Sequence, residues 1–382
     1  MPLDFQPSWT DETLSLYRET AARFIENEML PADEEARKAG HVGHALWRRA
    51  GKVGLLCSDI PEAYGGGGGD YRHEAVFWEE MARRGLTGLN ASVHSIVAHY
   101  LLNHGTEAQR RRYLPPMARG ELVGAIAMTE PGAGSDLQAV RTRARRDGDG
   151  YVINGAKTFI SNGYLAGLVL VVSKTDPSQG ARGTSIMIVE TADRPGYRVG
   201  RLLDKIGLKA QDTAELFFDD VRVPADAVLG GEAGQGFFQL MSDLPYERTA
   251  IGVNAVGCAE GAYQATLDYV RQREAFGRPI AEFQNTRFKL AEIATEVKVM
   301  RAFVDRCVED LVAGRLDTAT ASMVKLWSSE AQGRVVDQCL QLFGGYGYMN
   351  EYVIARMYTD ARIQRIYGGT NEIMKEVIAR AL

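Results

Sequence analysis

Ala125-Ile126-Ala127-Met128-Thr129-Glu130-Pro131-Gly132-Ala133-Gly134-Ser135-Asp136 is the stretch at which the chain changes its pattern. A short apolar run passes directly into a turn built from proline and glycine. A run that brief, closed by such a turn, reads as a buried strand. The turn presents amides and hydroxyls at the end of a sheet, a usual place for a ligand. It also fits an ordinary type I or type II turn.

Upstream, residues 10 to about 120 read as helical. Leu14, Tyr17, Ala21, Phe24 and Ile25 recur at helical spacing and Pro31 follows. Further helices are predicted over 45–56, 71–84, 87–103 and 107–119. The five glycines Gly65 to Gly69 lack the Gly-Lys-Ser/Thr ending of a phosphate loop, so they read as a flexible connection. Downstream, strands are predicted over 125–128, 140–145, 151–160, 168–173, 185–190 and 214–218, with turn signals between them. Strands without intervening helices predict an antiparallel sheet. From Phe237 the helical pattern returns. Leu290, Ile293, Val297, Met300, Val304, Val308 and Leu311 form one apolar stripe, and Val324, Trp327, Ala331 and Val335 another. The break at Ala313-Gly314-Arg315 makes them antiparallel bundle helices with plain apolar cores. The expected fold class is α+β: an N-terminal α-helical domain (1–122), a central antiparallel β-sandwich or barrel (123–236) and a C-terminal four-helix bundle (237–382).

Composition narrows the function. The 382 residues are 45% hydrophobic and 24% charged, with net charge −5. That is ordinary for a globular protein and argues against nucleic acid or an anionic membrane as the main partner. No apolar run is long enough to cross a bilayer, so no membrane insertion is expected. Met1-Pro2-Leu3-Asp4 shows no signal peptide. Cys57, Cys258, Cys307 and Cys339 lie far apart and read as free thiols of a reducing compartment. The expected location is a bacterial cytoplasm, or a mitochondrial matrix if a transit peptide has been removed. The six histidines include no H-E-x-x-H, and no metal is expected. There is no complete G-x-G-x-x-G and no G-x-S-x-G.

Four other segments can carry chemistry. Phe159-Ile160-Ser161-Asn162-Gly163 ends a strand on a hydroxyl. Arg273-Glu274-Ala275-Phe276-Gly277 ends a long helix with a charge and a ring that suit a phosphate and an adenine. Gln341-Leu342-Phe343-Gly344-Gly345 places glycines at a helix C-terminus. Tyr367-Gly368-Gly369-Thr370-Asn371-Glu372 opens a helix on two glycines, with backbone amides facing an incoming negative group. Its bland alternative is a helix stop followed by an N-cap.

Taken together and in this order, these segments closely resemble the acyl-CoA dehydrogenase family, nearly end to end, and most of all its long-chain branch. The resemblance implies a homotetramer with one non-covalent FAD per subunit, cradled between the β domain and the C-terminal bundle. It implies that Met128 and Thr129 lie along the flavin and Ser135 faces the CoA side of the substrate. Phe159 stands where a tryptophan is common, and Ser161 where a threonine hydroxyl meets flavin N5. Arg273 and Phe276 match residues that reach a neighbouring subunit's FAD. Gln341, Gly344 and Gly345 match the stretch at its pyrophosphate and adenine, and Thr370 and Glu372 match contacts to its phosphate and adenosine part.

The reaction so implied removes an α-proton to a carboxylate and passes a hydride from the β-carbon to flavin N5, giving the trans-2-enoyl-CoA. Many members carry the base between Tyr367 and Gly369, but here that position is Gly368. In the long-chain and isovaleryl branches the base comes from the position matching Glu247, and those branches carry Gly or Ala at the turn. Both halves of the exchange are present, so Glu247 is the expected base, where an isolated helix glutamate would otherwise read as a surface partner of Arg248 or Arg273. The Gly368 amide is then expected to hold the thioester oxygen, with Leu244, Tyr246, Arg248 and Gly369 nearby. The helix carrying Ser92 and Ser95 is expected to line the acyl pocket, for a medium, long or branched chain. An electron-transfer flavoprotein is the expected acceptor. The alternatives are an acyl-CoA oxidase, a thioester dehydrogenase of a specialised pathway and, from another class, a nucleic-acid-binding flavoprotein relative, which the acidic charge disfavours.

Overall fold

The computed structural model describes residues 5–382; Met1-Pro2-Leu3-Asp4, on which the reading of the N-terminus rests, lies outside them. Helices α1 (Glu12–Phe24), α2 (Asp33–Ala39), α3 (Gly43–Lys52), α4 (Tyr71–Arg83), α5 (Ala91–His104) and α6 (Glu107–Ala118) come first. Their starts are fixed by side chains that satisfy orphan amides. Asp11 accepts from Leu14 N, and Thr106 with Gln109 forms a capping box on α6.

The middle of the chain is a sheet of seven strands: β1 (Gly124–Ala127), β2 (Arg143–Asp147), β3 (Gly150–Ser161), β4 (Leu168–Lys174), β5 (Thr184–Glu190), β6 (Tyr197–Leu202) and β7 (Thr213–Pro224). It is mixed, not purely antiparallel as expected. β1 pairs parallel with β4, and β2 meets β4 only at Arg143 and Lys174. The long connection from β1 to β4 gives the chain room to return in the same direction. β4 is buried at every residue, between β1 and β5, which is why its sequence is apolar from Leu168 to Val172. β6 escaped the sequence reading because it is a half-exposed edge strand containing two arginines and a glycine.

The C-terminal part holds α7 (Gly236–Gln272), α8 (Gln284–Val312), α9 (Thr318–Phe343), α10 (Val353–Ala361) and α11 (Asn371–Ala379). The α8 stripe is buried as expected at Ile293, Val297, Met300, Val304 and Val308. Trp327 is not core: it is 42% exposed and lies against Arg334. Ser328 takes the inward place, because α7 and α9 approach at Gly252, where a Cβ would meet Val324 at 3.1 Å and Ser328 Oγ at 3.7 Å. A small side chain fits that gap and an indole does not.

A buried ion cluster ties α4 to the bundle. Arg301 on α8 donates to Glu79 on α4 and to Glu260 on α7, and pairs with Asp305 at 3.1 Å. Arg83 donates to Glu260 at 2.6 and 2.9 Å, and Arg18 to Glu79 at 3.2 Å. The two helices come this close because of Gly261, where a Cβ would stand 2.0 Å from the Arg83 carbonyl oxygen.

Candidate active site

Glu247 lies near the start of α7, two residues beyond Pro245, which has no N–H to give its preceding turn. Its carboxylate forms no ion pair with Arg248 or Arg273 among the described residues. Its partner is a phenol: Tyr100 Oη on α5 donates to Glu247 Oε1 at 2.8 Å. Burial pushes the Glu247 carboxyl up to about 7. The Tyr100 hydrogen bond opposes this, the Asp243 charge adds to it, and Arg248 opposes it. Arg248 is itself buried and donates to Ser322 Oγ on α9 at 2.9 Å.

The turn before α11 meets this helix. Gly368 and Gly369 have φ of +62° and +88°, the left-handed region that glycine enters freely. A Cβ at Gly368 would stand 2.5 Å from Ile251 Cδ1. Ile251 is four residues beyond Glu247 and therefore on the same face of α7. A side chain at position 368 would thus project onto the face that carries Glu247. No acceptor takes the Gly368 N–H among the described residues. The turn is held from below: Lys325 on α9 donates to Gly369 O and Asn371 Oδ1, both at 2.7 Å, and Thr370 Oγ1 accepts from Ile373 N. Glu372 lies in the exposed first turn of α11.

The strand-end residues are positioned by contacts that the sequence did not show. Buried Lys157 donates to Met128 O and to Glu130 Oε1, each at 2.9 Å. Glu130 also accepts from Arg141 N and Thr142 N, and Thr158 N donates to Thr129 O. The Met128-Thr129 segment is therefore fixed, while Ser135 further along the loop is exposed. Phe159 sits at φ +59°, 67% exposed, in an irregular step of β3. Ser161 Oγ accepts from Gln211 Nε2 at 3.3 Å.

A cavity of about 510 Å³ lies at the far end of α7 and α9. Arg273, Gln341, Gly344 and Gly345 line it together. Cβ atoms at either glycine would meet nothing within 4 Å. Phe276 stands beside it on a hairpin, 96% exposed with φ +54°.

The Tyr246 hydroxyl donates to Asp59 Oδ2 and its ring stacks on His99 with centroids 3.9 Å apart. Ser95 donates to Glu74 at 2.8 Å, whereas Ser92 lines a cavity shared with Asn254 and Tyr367. Leu244 is partly buried. All four cysteines are buried and free.

Models of the acyl-CoA dehydrogenase N-terminal, middle and C-terminal domains match residues 11–121, 125–221 and 234–382. The rat long-chain specific acyl-CoA dehydrogenase, mitochondrial, is 51% identical over 370 residues, 96% of this chain and 86% of the relative. The isovaleryl-CoA dehydrogenase, mitochondrial, of Oryza sativa subsp. japonica is 36% identical over 376 residues, 97% and 91% of the two chains. The crystal structure of the acyl-CoA dehydrogenase from Geobacillus kaustophilus superposes with a TM-score of 0.95 at 44% identity, covering 98% and 99% of the two chains. The chain belongs to the acyl-CoA dehydrogenase family, whose members are flavoprotein oxidoreductases. Among the described residues no helix is long and apolar enough to cross a membrane.

Proposed function

We infer that the chain dehydrogenates an acyl-CoA thioester between its α- and β-carbons, giving the trans-2-enoyl-CoA, with Glu247 as the base. The observation that carries this reading is the meeting of a half-buried carboxylate, bonded to a phenol and to no cation, with a glycine turn aimed at the same helix face. A carbon acid needs a strong, desolvated base, and burial makes Glu247 one. Glu247 takes the α-proton. The free Gly368 N–H donates to the thioester oxygen as charge grows there, in surroundings where a fixed dipole is effective.

FAD is the cofactor that the site fits. Gly344 and Gly345 leave open space in a cavity with the Arg273 cation and the Gln341 amide, which suits a pyrophosphate and an adenine. Met128, Thr129, Phe159 and Ser161 would hold the ring, Ser135 would face its substrate side, and Phe276, Thr370 and Glu372 would hold the nucleotide part. When bound, FAD supplies the acceptor for the hydride leaving the β-carbon. Gly369 and Arg248 shape the turn and helix around the thioester, and Leu244 borders it. The likeness to a long-chain and an isovaleryl enzyme supports a medium, long or branched acyl chain. It also supports an electron-transfer flavoprotein as acceptor and a homotetramer.

Anaerobic mixing of the FAD-loaded enzyme with a panel of straight and branched acyl-CoAs tests the reading. Bleaching of the flavin absorbance by one or more of them is expected. No bleaching by any of them contradicts it.

A further inference from the structure

The polar contacts between α5 and α7 fall in register. Tyr100 donates to Glu247 at 2.8 Å. Three and four residues on, Asn103 Nδ2 donates to Asp243 Oδ1 at 2.7 Å and His104 Nε2 lies 2.9 Å from Asp243 Oδ2. Residues 243 and 247 share one face of α7, as 100, 103 and 104 share one face of α5. The groups facing the Glu247 carboxylate are therefore Tyr100 from α5 and Asp243 and Arg248 from α7 itself. The Gly368 turn brings no side chain, and Ile251 between them is apolar. No donor reaches Glu247 Oε2 among the described residues.

We propose that Tyr100 is a positioning residue for the base: its hydroxyl pins one oxygen of Glu247 between α5 and α7 and leaves the other to meet the α-proton of the substrate. The inference rests on Glu247 being that base. A phenol suits the task better than a cation. An arginine or lysine at position 100 would form an ion pair and make the carboxylate a weaker base. With no donor there, the carboxylate would sample several rotamers and the reacting geometry would be lost for part of the time. Tyr100 is fully buried, and burial, with the charges of Glu247 and Asp243, holds its own ionisation well above the usual phenol range. It therefore remains a donor throughout the range in which Glu247 titrates.

The test follows the Glu247 carboxyl directly, by pH-difference infrared spectroscopy of the FAD-loaded enzyme, with Glu247→Gln used to assign the band. Tyr100→Phe keeps the ring and removes the donor to the charged form. The Glu247 titration should then move up by about one pH unit, the size of one hydrogen bond to a charged group. The pH limb of flavin reduction by acyl-CoA should move with it, and reduction at pH 7 should slow. A ring-fluorinated tyrosine at position 100, a stronger donor of nearly the same shape, should move both the opposite way. That arm decides the matter if Tyr100→Phe does not fold. A titration unmoved by either substitution overturns the inference. Turnover by Glu247→Gln would instead remove the base assignment, so the two failures are told apart.

Discussion

Among the carboxylates that helix α7 presents to the N-terminal helices, Glu260 and Glu247 are given different kinds of partner. Glu260 accepts from the guanidinium groups of Arg83 and Arg301. Burial still raises the Glu260 carboxyl against the pull of Arg301 and Arg83, while its neighbour Glu79 in the same cluster, with Arg301, Arg83 and Arg18 around it, is held below its usual range. Glu247 has one neutral donor and a like charge one turn away, and it is pushed up to about 7. A carboxylate that is meant to stay charged is given cations. One that is meant to take a proton from carbon is denied them. The same helix thus carries an anchor and a base, told apart by their partners: guanidinium groups for Glu260, a phenol for Glu247.

Breaking the anchor should have the largest effect on stability. Arg301→Met leaves Glu79 and Glu260 short of a partner in a dry place, and should lower unfolding free energy by about 3–5 kcal/mol, read from denaturant midpoints. The pH limb of activity should not move in that variant. Glu247→Gln should act on stability with the opposite sign. The folded carboxyl titrates near 7 against an ordinary value of 4.5, so its ionisation opposes folding. The penalty is absent below about pH 4, grows between the two values and is complete above the folded one. At pH 8 the Gln variant should be more stable by about 1–3 kcal/mol, and at pH 4 no more stable than the parent. Asp243→Asn sharpens the comparison most finely. It removes the like charge on the same face, so the acidic limb of kcat/KM should fall below its parent position near 7 by about half a pH unit.

Much of this division was legible in the sequence. The exchange of a turn glutamate for Gly368, with Glu247 on a helix, could be seen in the linear chain, because each half lies in a recognisable segment. The alternation of helix, strand and helix was also plain, since β4 and the α8 stripe keep their periods. What could not be read is which group each carboxylate meets. Tyr100 is 147 positions from Glu247, and a tyrosine in a helix shows no sign of its partner. Nothing in the linear chain shows that Lys157 and Glu130 meet as the buried clasp of the Met128-Thr129 segment. Trp327 fell outside its expected place for a related reason, and the partner of Tyr246 was equally out of sight. The local period gives a direction, but the close approach at Gly252 and the Asp59 carboxylate decide what each side chain faces.

The most direct test of Glu247 as base is the rate of anaerobic flavin reduction in Glu247→Gln against the parent, with the acyl-CoA that reduces the parent fastest. The amide keeps the size of the side chain and can still accept from Tyr100, but it cannot take a proton from carbon. Reduction should slow on the order of 10²–10⁴-fold while FAD remains bound. Reduction at a rate near that of the parent would contradict the account.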